Sequence, residues 1–253
     1  VAALVERVSA EEQTWFNRIE ERRAQLEAST AAVVTPRSEW SGSPQDERVA
    51  HEELGDVCRT ASKSRRWCAL LFRLLRELRP DVALELGTCV GISAAYQGAA
   101  LELNGNGELV TLEASRARLD VALEGFTRLA LTRVDGRHGR FQETLMPTLE
   151  HLGVVDYAFV DGHHDEEATL EYWEQIAPRL ADPAIVVFDD IAWSPGMANA
   201  WDAITADPRV KLAVDMETIG FCLVGSFPKG GLLKIPFVGG QLGDISKVIT
   251  AAS

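Results

Sequence analysis

The chain has 253 residues, 46% of them hydrophobic and 25% charged, which is enough apolar material to bury a sizeable core in a soluble globular protein. Twenty-five Lys and Arg stand against 38 Asp and Glu, a formal net charge of −13. That balance argues against a broad phosphate-neutralising surface, so no nucleic-acid partner is expected. No apolar run approaches the roughly 18 residues needed to cross a bilayer, so no membrane association is expected. The four cysteines, Cys58, Cys68, Cys89 and Cys222, show no paired spacing. Two lie in strongly apolar runs, which suits buried thiols in a reducing, cytoplasmic setting.

In chain order, Ser9 and Glu12 form a capping box for an amphipathic helix carrying Trp15, Phe16, Ile19 and Leu26. Residues 35–46, rich in Pro, Ser and Gly, read as a loop, and the stretch from Glu47 to Ser64 as a weaker helix. Trp67, Leu71, Leu74, Leu75 and Leu78 mark a firm helix that ends at Pro80. The first 80 residues are therefore expected to be mostly helical. From residue 81 the pattern changes to short apolar runs separated by helix-length stretches: VALEL at 82, GELVTLE at 107, ALTRVDG at 130, VDYAFVDG at 155 and AIVVFDD at 184. Runs buried on both faces belong to a parallel sheet with crossover helices. A closely spaced last pair, VKLAVDMET and GFCLVGS, reads as a hairpin. Beyond Phe227 no clear period remains.

Ligands of open α/β sheets bind outside the carboxyl ends of the strands. ELGTCVGIS, residues 85–93, stands at such an end. Gly87 and Gly91 would let backbone approach a ligand, and a helix opening near Ile92 and Ser93 would aim N–H groups at it. Such a turn can also be purely structural. Glu113 closes the next strand, where a carboxylate can accept hydrogen bonds from ribose hydroxyls.

Glu85, Gly87 and Gly91 in an E-x-G-x-x-x-G spacing, with Glu113, GRFQETL at 139–145 and the terminal hairpin, make the chain resemble the class I S-adenosylmethionine-dependent methyltransferases from about Arg65 to Gly225. The third glycine of a nicotinamide-binding turn is absent. The resemblance implies a doubly wound, Rossmann-like α/β fold with a mostly parallel seven-stranded sheet and an antiparallel C-terminal hairpin. It also implies that Gly87, Thr88, Gly91 and Ser93 pass beside the cofactor's methionine part and that Glu85 helps fix its amino group. Glu113 and Ala114 would lie at the ribose, and Arg140 and Phe141 near the adenine. The domains expected are a helical lid or dimerisation segment at 1–64, the methyltransferase domain at 65–226 and a tail at 227–253.

Asp161 ends the fourth strand and Asp189 and Asp190 the fifth. Carboxylates brought together repel unless something positive sits between them. These positions resemble the catechol O-methyltransferase branch, which implies a divalent cation, Mg²⁺ foremost, held by Asp161, Asp189 and Asp190, with Asp161 also near the cofactor. The chain departs from that branch in having Asp at the last ligand position instead of Asn, and His164 where a lysine is usual. His164, favoured by position over His163, is the general-base candidate. Trp193, Met197 and Trp201 are candidates for an acceptor wall, while His51 and His138 have no evident partner. The expected activity is methyl transfer to a hydroxyl of a small molecule. The alternatives are a metal-independent O- or N-methyltransferase, or a cofactor-binding module without turnover. A homodimer is expected from apolar residues in the extensions, among them Trp15, Phe16, Ile235, Phe237 and Val238.

Overall fold

The computed structural model describes residues 8–43, 45–226, 231–234, 237–238 and 241–242, with side chains for the first two ranges. The chain forms two compact units, Val1–Thr144 and Leu145–Ser253.

The first unit opens with helix α1, Ala10–Glu27, whose capping box forms as expected: Ser9 Oγ accepts from the Glu12 N–H, and Glu12 reaches back to the Ser9 N–H. Its inner face buries Phe16, Ile19, Arg23 and Leu26. Phe16 packs edge-on against Phe72 at 4.8 Å between ring centroids and against Tyr96 at 5.0 Å. Each such apolar side chain contributes on the order of 1.5–3 kcal/mol by leaving water. Phe16 is thereby committed to the protein's own core, which removes it from any surface between subunits.

The next stretch differs from the helical expectation. Ala32–Pro36 is strand β1 and Val49–Glu53 is strand β2, paired antiparallel with Val33 opposite Glu52 and Thr35 opposite Ala50. A one-turn helix α2, Ser38–Ser41, lies between them, and only Leu54–Ala61 is helical in the expected weak helix, as α3. The ribbon buries Val33 and Thr35 while Val34 faces solvent. Helix α4, Arg65–Leu78, ends where Arg79 turns left-handed before Pro80.

Strands β3, Val82–Leu86, β4, Glu108–Glu113, and β5, Val134–His138, pair in parallel in that order. Helix α5, Ile92–Asn104, follows β3 and is buried at every position from Ile92 to Leu101. Helix α6, Arg116–Leu129, follows β4 with Ser115 capping its first turn. Helix α7, Phe141–Leu152, follows β5 and runs past the unit boundary.

The second unit holds β6, Val155–Val160, α8, Glu166–Ile176, and β7, Leu180–Asp189, with β6 and β7 parallel. Helix α9, Pro195–Ala206, leads to β8, Val210–Asp215, and β9, Ile219–Val224. These last two form the expected antiparallel hairpin, whose β9 also pairs antiparallel with β7. One further strand, β10, Gly231–Lys234, adds in parallel to β8, and the short β11, Phe237–Val238, and β12, Gln241–Leu242, pair with each other. The fold class expected from the sequence is the one found, a mostly parallel sheet ending in antiparallel strands. Ile235 lies outside the described residues, as do the side chains of Phe237 and Val238. Among the described residues no helix is long and apolar enough to cross a membrane.

Candidate active site

Seven non-glycine residues among those described adopt positive φ. Arg79 and Ala130 end helices and Glu217 sits in the β8–β9 turn. The other four, Cys89 (φ 48°), His163 (68°), His164 (49°) and Asp190 (53°), all follow the carboxyl ends of parallel strands. Non-glycine residues pay of order 1–3 kcal/mol for such backbone, and the strain gathers where function requires a fixed geometry.

In the first unit, the loop after β3 is held from below by a buried polar chain. Glu85 is wholly buried, accepting from Gln97 Nε2 at 2.6 Å and from Thr111 Oγ1 at 2.5 Å. Thr111 has spent its proton on Glu85, so Thr88 must donate across the 2.6 Å contact between the two hydroxyls. The Thr88 side chain is therefore turned into the protein. Backbone N–H groups of Gly87 and Thr88 both donate to Leu112 O, tying the loop to β4.

Gly91 (φ 84°) has a reason for being glycine that the sequence does not display: a Cβ there would stand 2.8 Å from Ala122 Cβ and 2.9 Å from Phe126 Cε1. The loop passes directly over α6. Gly91 is also the N-cap of α5 and offers no side chain, so the first-turn N–H groups around Ile92 and the buried Ser93 have no side-chain cap.

Glu113 joins loop and strand into one cradle. Its Oε2 accepts from Cys89 N–H and its Oε1 from Ser115 N–H, each at 2.8 Å. Burial pushes its pKa above the ordinary carboxylate range, against the pull of those two N–H groups. Each oxygen keeps lone-pair capacity for another donor. Its backbone carbonyl accepts from Gly139 N–H at 2.9 Å, which sets Arg140 and the buried Phe141 beside the same strand end. His138, expected to be unpartnered, bonds Ala114 O through Nε2 at 2.9 Å. Thr35, Trp40, Glu52 and Arg118, which no pattern in the sequence singles out, join this region through Ser115 and the start of α6.

In the second unit, Asp161 follows β6, Asp189 ends β7 and Asp190 follows it. His164 lies between two of the three: Nε2 is 3.8 Å from Asp161 Oδ1 and Nδ1 is 3.5 Å from Asp190 Oδ2. Its ring stands where the sequence expectation put a positive charge. His163 instead bonds the hydroxyl of the buried Tyr172 through Nδ1. Asp189 is buried. Among the described residues no group of three or more His, Cys, Asp or Glu is arranged to hold a metal ion.

Trp193 is 72% exposed, and its N–H donates to Asp190 O at 2.9 Å. Met197 and Trp201 differ from the wall expected of them, because both are buried: Met197 Sδ accepts from Thr169, and the Trp201 ring covers Gly220 beside Phe188.

Residues 84–191 match a protein family described as a methyltransferase domain. No curated protein matches the chain. Similar solved structures include an O-methyltransferase from Bacillus cereus in complex with SAH, at TM-score 0.60 and 20% identity over 83% of this chain and 91% of that one. Another is the O-methyltransferase TomG from Streptomyces achromogenes, involved in tomaymycin synthesis and bound to SAM, at TM-score 0.60 and 18% identity over 89% and 94%. A third is the SAH-bound methyltransferase PaMTH1 of Podospora anserina, at TM-score 0.60 and 18% identity over 83% and 87%. Residues 84–191 are thus similar to a methyltransferase domain, and the chain shares the fold of these solved structures.

Proposed function

We propose that the protein transfers the methyl group of S-adenosylmethionine to a hydroxyl oxygen of a small molecule. The observation that carries this reading is the Glu113 cradle, in which the strand-end carboxylate is fixed by N–H groups from both the Gly87–Gly91 loop and the start of α6. A buried carboxylate oriented in that way suits the paired hydroxyls of a ribose. The uncapped first turn of α5 suits a carboxylate such as that of the methionine part. Glu85 then acts by holding the loop through Thr111 and Thr88, and Gly139–Phe141 flanks the base. The structures bound to SAM or SAH named above support the same ligand.

When bound, S-adenosylmethionine supplies an electrophilic methyl: an O–CH₃ bond forms as the S–CH₃ bond breaks and its electron pair returns to sulfur. The acceptor hydroxyl must lose its proton, and His164 takes it in this reading. The imidazolium so formed carries its charge between Asp161 and Asp190, which stabilises it. His163 is engaged with Tyr172 and is the poorer base. Exposed Trp193, next to Asp190, offers a ring face to a flat acceptor.

Among the described residues no three His, Cys, Asp or Glu are arranged to hold a metal ion, and His164 lies between Asp161 and Asp190, so this reading gives the proton transfer to His164 and not to the Mg²⁺ expected at Asp161, Asp189 and Asp190. None of the four cysteines is in a disulfide, which supports a reducing, cytoplasmic setting. A homodimer rests on Trp15 and the tail, and light scattering over a range of concentrations tests it.

The experiment for the proposal is calorimetric titration with S-adenosylmethionine, S-adenosylhomocysteine and NAD⁺, with and without Mg²⁺, followed by a methyl-transfer assay on hydroxylated acceptors with and without EDTA. Binding of the two sulfur nucleosides alone, and turnover indifferent to EDTA, is the expected result. Loss of turnover with EDTA and recovery with Mg²⁺ would restore the cation, and no binding would remove the cofactor assignment.

A further inference from the structure

The β1–β2 ribbon is fastened at several points to the strand end that carries Glu113. Thr35 Oγ1 lies 2.6 Å from Ser115 Oγ, and both residues are wholly buried. Glu39 Oε2, from α2, accepts the Arg116 N–H at 2.9 Å. Arg118 donates to Glu52 Oε2 at 2.7 Å with its guanidinium 5.2 Å from the centroid of the Trp40 ring. Gly42 lies against the Arg140 guanidinium so closely that a Cβ would meet Nη1 at 1.7 Å. All of these partners fall within 115–118 or at 140, the two segments that flank Glu113. Glu113 itself is left only 6% exposed.

We propose that the β1–β2 ribbon is a latch over the nucleoside end of the cofactor site, closed by the Thr35–Ser115 and Glu52–Arg118–Trp40 contacts and opening to admit and release the ligand. The proposal rests on the cofactor reading above. A ribose that hydrogen-bonds Glu113, which is 6% exposed, would enter beside the segments at 115–118 and 140 that the ribbon fastens. The ribbon is suited to such movement. It is only two strands wide, and two-stranded ribbons are marginal by themselves. Its inward side mixes polar and apolar residues, with Thr35 paired to Ala50 and Val33 to Glu52, so Val33 is its one fully buried apolar side chain to be drawn out on opening. The side-chain contacts that hold it can each be removed singly.

The test is stopped-flow binding of S-adenosylhomocysteine, read by tryptophan fluorescence, together with amide exchange across residues 32–53. Glu52→Gln and Thr35→Val each weaken one fastening. Both are expected to raise the association and the dissociation rate together, on the order of two- to tenfold, the factor carried by one hydrogen bond, while Kd moves less. Exchange of the β1 and β2 amides should slow when the ligand binds. Val34→Thr, on the outward side of β1, should leave both rates as in the unaltered protein. Should either inward variant fail to fold, the other carries the test, and the exchange measurement needs no variant. Binding with unchanged rates and unchanged exchange overturns the latch alone. Absence of binding to the unaltered protein overturns the cofactor reading and the latch with it.

Discussion

The strand ends of β3 and β4 and those of β6 and β7 solve different problems. Around Glu113 the geometry is set by backbone: the carboxylate takes N–H groups from Cys89 and Ser115, the loop takes Leu112 O, and Gly91 is pressed against α6. Around His164 it is set by side chains, with an imidazole between two carboxylates on left-handed backbone and a third of its surface open. A backbone-built, buried cradle suits a ligand that is always the same. A side-chain-built, half-open one suits a group that must exchange protons with an acceptor.

The largest expected effect breaks the second region and spares the first. His164→Ala should lower the single-turnover methyl-transfer rate about 10²- to 10⁴-fold, the range for a lost general base, with S-adenosylhomocysteine affinity unchanged. His163→Ala should cost far less. Equal losses from the two variants would remove the assignment of roles.

Next in size is Glu113→Ala. Losing charge-assisted hydrogen bonds to the nucleoside should weaken S-adenosylhomocysteine by about 1.5–3 kcal/mol in calorimetry. Single turnover at saturating cofactor should change much less, the inverse of the His164 pattern.

Gly91→Ala asks whether the loop is held by packing. Left-handed φ together with a Cβ 2.8 Å from Ala122 should destabilise the fold by about 1–3 kcal/mol in urea unfolding. Unchanged stability would mean that the loop and α6 can separate without cost, and the cradle would lose its rigid wall.

The smallest effect is a slope. Burial raises the Glu113 pKa in the folded state, so the folded protein holds that proton more tightly than the unfolded chain. Its contribution to stability is full below the unfolded value, about 4.3, and is lost as pH rises through the raised folded value. Glu113→Gln removes that loss, so the stability difference between the two proteins should shift toward the variant as pH rises across the window. Parallel profiles would contradict the buried carboxylate.

Much of this was legible in the amino-acid order. Ser9 and Glu12 announce the α1 capping box because capping is a local matter of two residues three apart. The runs at 82, 107, 155 and 184 announce buried strands because both faces of each are apolar, and the glycines and acids after them mark the ends where ligands bind. The β1–β2 ribbon escaped notice for the opposite reason. Its inner side alternates Val33 and Thr35 against Glu52 and Ala50, its connection holds Pro, Ser and Gly, and so no apolar period distinguishes it from a loop and a weak helix. Strand β5 begins at Val134, inside the segment expected from Ala130, because Leu129 ends α6 and Ala130 takes the left-handed turn that closes it.

By itself the sequence determined the class of fold, the order of its parallel strands along the chain, and which residues stand at their carboxyl ends, since periodicity and turn chemistry are local. Only the tertiary structure decided what those residues touch. Gly91 proved to be glycine for α6, Glu85 to brace the loop, His164 to stand between carboxylates and His163 to turn to Tyr172. Each of these depends on partners that the chain brings near only by folding. Side-chain partnership between elements leaves no period in the sequence, because the distance that matters is measured through space.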